Sequence, residues 1–295
     1  MRIFVTGGTG LIGRYWISQR PQDQFTVLTR QAAPHSMPPN VDYVHDLSQL
    51  KSLNDYDLVL NLAGEPIVGK RWSPQRKQAI RSSRIDLTQK LVRLVQQSPR
   101  GPQRLISGSA VGIYGDTGSM AVNESTAIIE GGDDFAQALC RDWESEALSL
   151  ADTRTVTVLR TGVVLSRAGG ALPKMLPAFR CGLGGRIGHG QQMMSWIHIA
   201  DMAGILNNIV DGEGINGVVN VTAPNPVTNA QFTRALAKAC KRPAILPVPQ
   251  WVLKLGLGQA SQLLLDSQYV LPDRLVEQEF QFQYPTIESA FSDLI

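Results

Sequence analysis

Two hydrophobic periodicities alternate through the first 165 residues. Short β-rich runs fall at Ile3–Thr6, Phe25–Leu28, Val41–Val44, Leu58–Leu62, Arg104–Ser107 and Val156–Arg160. Helical patterns lie between several of them. The longest starts at Ser73, an N-cap candidate followed by Pro74, and continues through Ile80, Leu87, Leu91 and Leu94, which share one face. A second is predicted from Asp134 to about Leu150. Strands alternating with helices imply βαβ units, because parallel neighbours need a crossover, and right-handed crossovers lead to a Rossmann-type, doubly wound parallel α/β sheet.

After Leu165 the texture changes. Residues 166–195 are rich in Gly and Arg and read as loop plus a short helix. A helix is predicted from Asp201, with that carboxylate as its cap and Ile205, Leu206 and Ile209 on one face. Val218–Val221 reads as a further strand of the main sheet, and Thr228-Asn229-Ala230-Gln231 as a capping box opening a helix to about Cys240. Prolines at 243, 247, 249, 272 and 285 break the tail into short elements. The expected division is a dinucleotide-binding domain over 1–165, rejoined by 199–222, and a smaller C-terminal substrate lobe from 166–198 and 223–295.

The strongest local signal is Thr6-Gly7-Gly8-Thr9-Gly10-Leu11-Ile12-Gly13, a G-x-x-G-x-x-G run after a strand and opening a helix. Glycines there allow a tight turn and close approach of a pyrophosphate, which meets the unpaired N–H groups of the helix N-terminus. Gly7, Thr9, Gly10, Leu11, Ile12, Gly13 and Arg14 are therefore candidate cofactor ligands. A site for NAD usually carries an acid at the end of the second strand to bind the ribose 2′-hydroxyl. Here that position reads Leu28-Thr29-Arg30, and Arg14 follows the last glycine. Two guanidiniums suit a 2′-phosphate, so NADP(H) is the expected cofactor.

Composition narrows the class further. The chain has 295 residues, 28 basic against 25 acidic side chains and a net charge of +3, with no basic run, so no nucleic-acid partner is expected. Three scattered cysteines (Cys140, Cys181, Cys240) make neither a disulfide framework nor a zinc site. No stretch approaches the roughly 18 apolar residues that cross a bilayer, and the first residues enter a strand pattern at once; a cytoplasmic protein without a membrane partner is expected. Glycine, at 27 residues, is the one enriched class; part of the excess forms the phosphate turn and part clusters at 182–190.

The glycine turn, Asn61-Leu62-Ala63-Gly64 and Trp196-Ile197-His198-Ile199-Ala200-Asp201 resemble the extended short-chain dehydrogenase/reductases, which include nucleotide-sugar epimerases. The chain is most similar to their YfcH-like subgroup of NAD(P)-dependent epimerases, whose traits appear as Asn61–Ile67, Arg71-Trp72, Ser83-Arg84, Ser107–Gly115, Cys140–Glu144 and Leu271-Pro272. The resemblance implies that Asp46 and Leu47 lie by the adenine and that Ala63 and Gly64 lie along the cofactor ribose. It also implies a substrate cavity lined by Phe179-Arg180, the 182–190 loop and Met193–Trp196, with Trp196 a contact and Arg186 and His189 meeting phosphate. The same loop could be a mobile lid without ligand contact. By the same analogy, the helices at Ser73 and Asp134 would form a homodimer interface.

One departure from the superfamily matters most. Its Tyr-x-x-x-Lys pair, in which the lysine lowers the tyrosine's pKa for proton exchange, is missing. No lysine occurs between Lys90 and Lys174, Tyr114 is the only tyrosine in that interval, and the corresponding helix reads Phe135-Ala136-Gln137-Ala138-Leu139. The remaining catalytic candidates are Ser109, with Ser107 as the alternative register, and Tyr114. Either hydroxyl could serve a substrate carbonyl or simply satisfy local structure. Glu65 and Arg84 are read as a pair at the carboxyl edge of the sheet, either holding a polar or anionic group of a small-molecule substrate or forming a structural ion pair. His198 reads as a structural histidine. Two functions follow: an NADP-dependent oxidoreductase or epimerase-like enzyme on a small polar, nucleotide-linked molecule, or a non-catalytic NADP(H)-binding regulator.

Overall fold

A computed structural model describes residues 1–30, 38–129, 134–212 and 215–295. In chain order its first half comprises β1 (Arg2–Thr6), α1 (Leu11–Ser18), β2 (Gln24–Leu28), β3 (Val41–Val44), β4 (Leu58–Asn61), α2 (Pro74–Ser82), α3 (Ile85–Gln96), β5 (Arg104–Ala110) and α4 (Phe135–Leu148). The second half runs β6 (Thr155–Thr161), β7 (Val163–Leu165), α5 (Leu172–Arg180), β8 (Met193–Met194), β9 (Trp196–His198), α6 (Ile199–Asp211), β10 (Gly217–Val221), β11 (Val227–Thr228), α7 (Asn229–Ala239), α8 (Gln250–Leu257), α9 (Gln262–Leu265), α10 (Asp273–Glu277) and α11 (Ile287–Leu294).

Seven strands form one sheet in the order β10-β6-β5-β4-β1-β2-β3, and each neighbouring pair is parallel. Chain order reverses between β1 and β4, so a crevice opens there beyond the carboxyl ends of the strands, the usual ligand position of a doubly wound sheet. The two central strands are apolar along most of their length, as burial on both faces demands: Ile3, Phe4, Val5, Leu58, Val59 and Leu60 are all inaccessible to solvent, with polar residues buried at the carboxyl ends. One core cluster reaches from β1 and α6 into α7 and α11, which fixes the C-terminal segments against one face of the sheet.

Local signals behave as their chemistry predicts at three helix starts. Ser73 caps α2 with Pro74 at its first position, Asp134 caps α4 through the N–H groups of Ala136 and Gln137, and Thr228 and Gln231 close a capping box on α7.

Two expectations need correction. The helix predicted from Ser73 is two helices, broken at Ser83-Arg84. The Ser83 hydroxyl donates to the Ile80 carbonyl and accepts from the Glu65 N–H at 2.9 Å, which holds the break against the loop after β4. Asp201 is not the cap of α6. That helix starts at Ile199, and His198 Nδ1 accepts the Ala200 N–H at 3.1 Å. The Asp201 carboxylate instead accepts the backbone N–H groups of Gln283 and Tyr284, at 2.7 and 3.0 Å, and ties the tail to α6.

Candidate functional site

The glycine turn is built by close approach. Gly10 N–H donates to the Gly7 carbonyl at 2.9 Å, and Gly7 has a φ of +72° that side-chain-bearing residues rarely adopt. A Cβ on Gly7 would lie 2.6 Å from the Leu62 carbonyl carbon, and one on Gly13 would lie 2.6 Å from the Gly7 oxygen. The loops after β1 and β4 therefore nest, and α1 presses onto the turn. Gly10 leaves the helix start without a side-chain cap, and no acid sits in the first turn, so its N–H groups face the crevice with a partial positive charge. Leu11 and Ile12 are half-buried there, and Arg14 is exposed one turn on. Leu11 also meets the Gly169-Gly170 turn of the segment after β7.

A buried polar chain fixes the crevice floor. Thr6 Oγ1 donates to Asn61 Oδ1 at 2.7 Å and accepts the Ala63 N–H at 3.2 Å. Asn61 Nδ2 reaches Thr88 at 2.8 Å and Ser107 at 3.2 Å, and the Trp143 indole N–H donates to Thr88 at 2.9 Å. Ser107 is thereby spent inside the fold.

Around the rim, Arg30 pairs with Glu65 at 2.7 Å, and Arg76 reaches the other Glu65 oxygen at 3.2 Å. These cations hold the Glu65 carboxyl below its ordinary range, Arg30 most strongly. Arg84 is not the ionic partner of Glu65. Its Nη1 donates to the Glu65 backbone carbonyl at 3.0 Å, its guanidinium lies 5.3 Å from the Trp143 ring, and it covers the space where a Gly64 side chain would be. Burial lowers its pKa. A side chain at Gly64 would displace the Arg84 guanidinium. Asp46 caps a short 3-10 helix, Leu47–Gln49, by accepting from the Ser48 N–H. The Ser48 side chain, and then its N–H, hold the carboxyl below the usual value; Leu47 beside it is half-buried.

Ser109 and Tyr114 belong to a second buried network. Ser109 Oγ donates to Glu144 Oε1 at 2.6 Å, and Arg160 grips both Glu144 oxygens at 2.9 and 2.8 Å. Arg160 Nη1 also donates to the Tyr114 oxygen at 2.9 Å, while that hydroxyl lies 2.9 Å from Asn220 Oδ1 and 3.0 Å from the Asn123 carbonyl. Burial pushes the tyrosine up from its ordinary pKa. Burial also pushes the neighbouring Cys140 thiol up to about 12, which leaves it an inert thiol.

The substrate-side residues divide. His189 lines a cavity of about 350 Å³ with Asp116, Ser119, Gln191, Gln192 and Tyr269. Arg186 is exposed on the same loop, its stem over Gly190. Trp196 lines nothing: it is fully buried in the main core, its indole N–H on the Asn225 carbonyl, because β9 places it beneath the loop. Sequence reasoning passed over Asp266. It faces a cavity of about 600 Å³ with Gln250, Lys254 and Gln262, and burial together with Asp116 and Asp134 raises its pKa to about 6. Only its distant partners reveal it, and no local motif marks it. Among the described residues no group of histidines, cysteines or carboxylates could hold a metal.

A parallel sheet, a switch-point crevice and a glycine turn too tightly packed against neighbouring backbone for a Cβ at Gly7 or Gly13 are the frame of a dinucleotide-binding α/β protein. The chain belongs to the NAD dependent epimerase/dehydratase family, which it matches over residues 3–222; residues 248–294 match a domain of unknown function, DUF1731. It is 38% identical, over its whole length and 98% of the relative, to the epimerase family protein YfhF of Bacillus subtilis. It is 37% identical to the chloroplastic SDR39U1 homologue of Arabidopsis thaliana, over 98% of this chain and 85% of that protein. Among solved structures it resembles human epimerase family protein SDR39U1 (isoform 2) with NADPH, with a TM-score of 0.91, 33% identity, and coverage of 100% of this chain and 99% of that one.

Proposed function

We propose that this protein is an NADP(H)-dependent oxidoreductase or epimerase-like enzyme acting on a small polar, nucleotide-linked carbonyl or sugar. The observation that carries the reading is the turn in which Gly7 packs on the loop after β4 while Gly10 and Gly13 close onto Gly7 and Gly8. Its fit to a dinucleotide is steric and electrostatic: backbone close enough to admit a pyrophosphate, and a helix start without an acid. The human relative's structure with NADPH supports the same cofactor. In this reading Thr9, Gly10, Leu11, Ile12 and Gly13 hold the pyrophosphate, Arg14 and Arg30 the 2′-phosphate, Asp46 and Leu47 border the adenine, and Ala63 and Gly64 border the ribose. Arg30 already lies at the rim, 82% exposed, and its ion pair with Glu65 is open to exchange for a phosphate.

When bound, NADP(H) supplies or takes a hydride. Glu65 and Arg84 orient the polar group of the substrate at the crevice, and Arg186 and His189 meet its phosphates. Ser109 and Tyr114 brace the ends of β5 and β6 through Glu144 and Arg160, since both hydroxyls are already engaged.

The test is NADPH oxidation against a panel of nucleotide-linked and free carbonyl compounds, with Ser109→Ala and Tyr114→Phe in parallel. Turnover that survives both substitutions in part, with lowered thermal stability, is the expected outcome. Tight NADPH binding without turnover on any compound would leave a binding protein and overturn the enzymatic reading.

A further inference from the structure

We propose that the C-terminal region carries a docking surface for an anionic lipid bilayer, centred on α8. None of the eight residues of this helix is buried, although six of them are Trp, Val, Leu or Gly. Successive helical residues turn by about 100°, so Trp251, Leu255 and Val252 fall within one arc. These three are 67%, 70% and 40% exposed. The opposite face is anchored: Leu257 packs on the Trp72–Ile80 cluster, and Arg71 donates to the Leu255 carbonyl at 2.7 Å. The apolar arc therefore points outward from a helix fixed to the body.

Two chain segments extend this surface. Residues 183–188 run beside 244–248, joined by the Leu183–Ala244 bridge and by the Leu246 N–H on the Gly184 carbonyl. A Cβ on Gly185 would lie 1.8 Å from the Leu246 oxygen, so the two segments are pressed together. They carry the exposed Leu183, Ile245 and Leu246 and lead directly into Pro249, the N-cap of α8. Exposed apolar side chains on this scale are unusual on a surface that stays in water.

Charge selects the occupant. Residues 166–198 and 223–265 contain nine lysines and arginines and no aspartate or glutamate, whereas the rest of the chain carries more acidic than basic side chains. Arg180, Lys241, Arg242 and Lys254 are exposed along the apolar surface, and Arg242 donates to the Arg180 carbonyl, which brings the two guanidiniums' chain segments together. A second copy docking by the same face would set these cations against each other. An anionic bilayer complements them, and projecting apolar tips with a tryptophan and flanking cations suit insertion at the headgroup boundary. Among the described residues no helix is long and apolar enough to cross a membrane. A helix that lies on a bilayer needs no spanning stretch.

Tryptophan fluorescence reads the surface directly. Trp16, Trp72, Trp143 and Trp196 are buried, and Trp251 alone is exposed. The full-length protein is mixed with phosphatidylcholine vesicles with and without phosphatidylglycerol, and scored by cosedimentation and emission wavelength. Binding to the anionic vesicles only, with a blue shift that salt reverses, is the expected result. Trp251→Ser/Leu255→Ser should abolish both signals, and Lys241→Glu/Arg242→Glu should weaken binding roughly 25-fold or more, at about fivefold per cation removed. Unchanged NADPH binding shows that both variants fold. Equal behaviour on neutral and anionic vesicles, or vesicle binding that survives Trp251→Ser/Leu255→Ser, would overturn the proposal. So would a stable dimer in sedimentation that Leu255→Ser dissociates.

Discussion

Replacing Glu144 by alanine is the sharpest perturbation of the buried network. Glu144 and Arg160 are 4% and 6% exposed, and the carboxylate takes two hydrogen bonds from the guanidinium and one from Ser109. Burial alone would lower the Arg160 pKa, but the Glu144 hydrogen bonds and charge outweigh it and hold the guanidinium above its ordinary value. Removing the carboxylate leaves a buried cation whose only remaining polar partner in this group is Tyr114. Such uncompensated burial costs about 3–5 kcal/mol. At about 2–4 °C per kcal/mol for a chain of this size, thermal unfolding followed by circular dichroism should fall by roughly 6–20 °C. Glu144→Gln keeps the shape and an acceptor oxygen and should lose less. In Glu144→Ala/Arg160→Met both charges go, so the double variant should be more stable than the two single losses added together. Additivity within about 0.5 kcal/mol would refute the claim that the pair acts as a unit.

Gly7→Ala must place a Cβ 2.6 Å from the Leu62 carbonyl carbon at a φ of +72°. It should destabilise by about 1–3 kcal/mol and weaken NADPH binding at least tenfold in a fluorescence titration; binding equal to the parent's would remove the glycine cradle from the cofactor site. Asp266, raised from 3.8 to about 6, favours the protonated form when folded, so its contribution to stability is present below pH 4 and lost as pH rises through 6. Asp266→Asn should therefore match the parent near pH 4 and exceed it by about 1–2 kcal/mol above pH 6, after allowance for partial solvent screening. A melting-temperature difference independent of pH would contradict this.

The sheet and its glycine turn were legible because both follow short-range rules. Apolar runs mark strands buried on two faces, and strand–glycine–helix marks a turn that no side chain can enter. The break at Ser83-Arg84 was not legible. Ile80, Leu87 and Leu91 keep helical spacing across it, so the sequence pattern continues while the backbone does not; Ile80 packs with Trp72, and Leu87 and Leu91 join a different cluster. The break is held by a hydrogen bond from the distant Glu65 N–H. Asp201 shows the same limit. An acid in a first turn looks like a cap, but its partners lie 82 and 83 residues away, and His198 takes the capping role three residues earlier than Asp201. Glu65 and Arg84 lie together as expected, yet Arg84 bonds to the Glu65 backbone, because Arg30 and Arg76 reach the carboxylate from other elements. Trp196 is a related case: the motif gives its neighbourhood, but every residue of β9 is buried, so the side chain packs in the core and not on the cavity.

The central claim is that the crevice between the loops after β1 and β4 takes NADP(H), with Arg30 and Arg14 on the 2′-phosphate. Calorimetric titration of the purified protein with NADPH and NADH, repeated on Arg30→Ala, tests it most directly. Hydrogen bonds to charged groups contribute about 1.5–3 kcal/mol, so NADPH should bind roughly 10–100-fold more tightly than NADH, and Arg30→Ala should narrow that gap while leaving NADH affinity unchanged. Equal or tighter binding of NADH by the parent protein would contradict it.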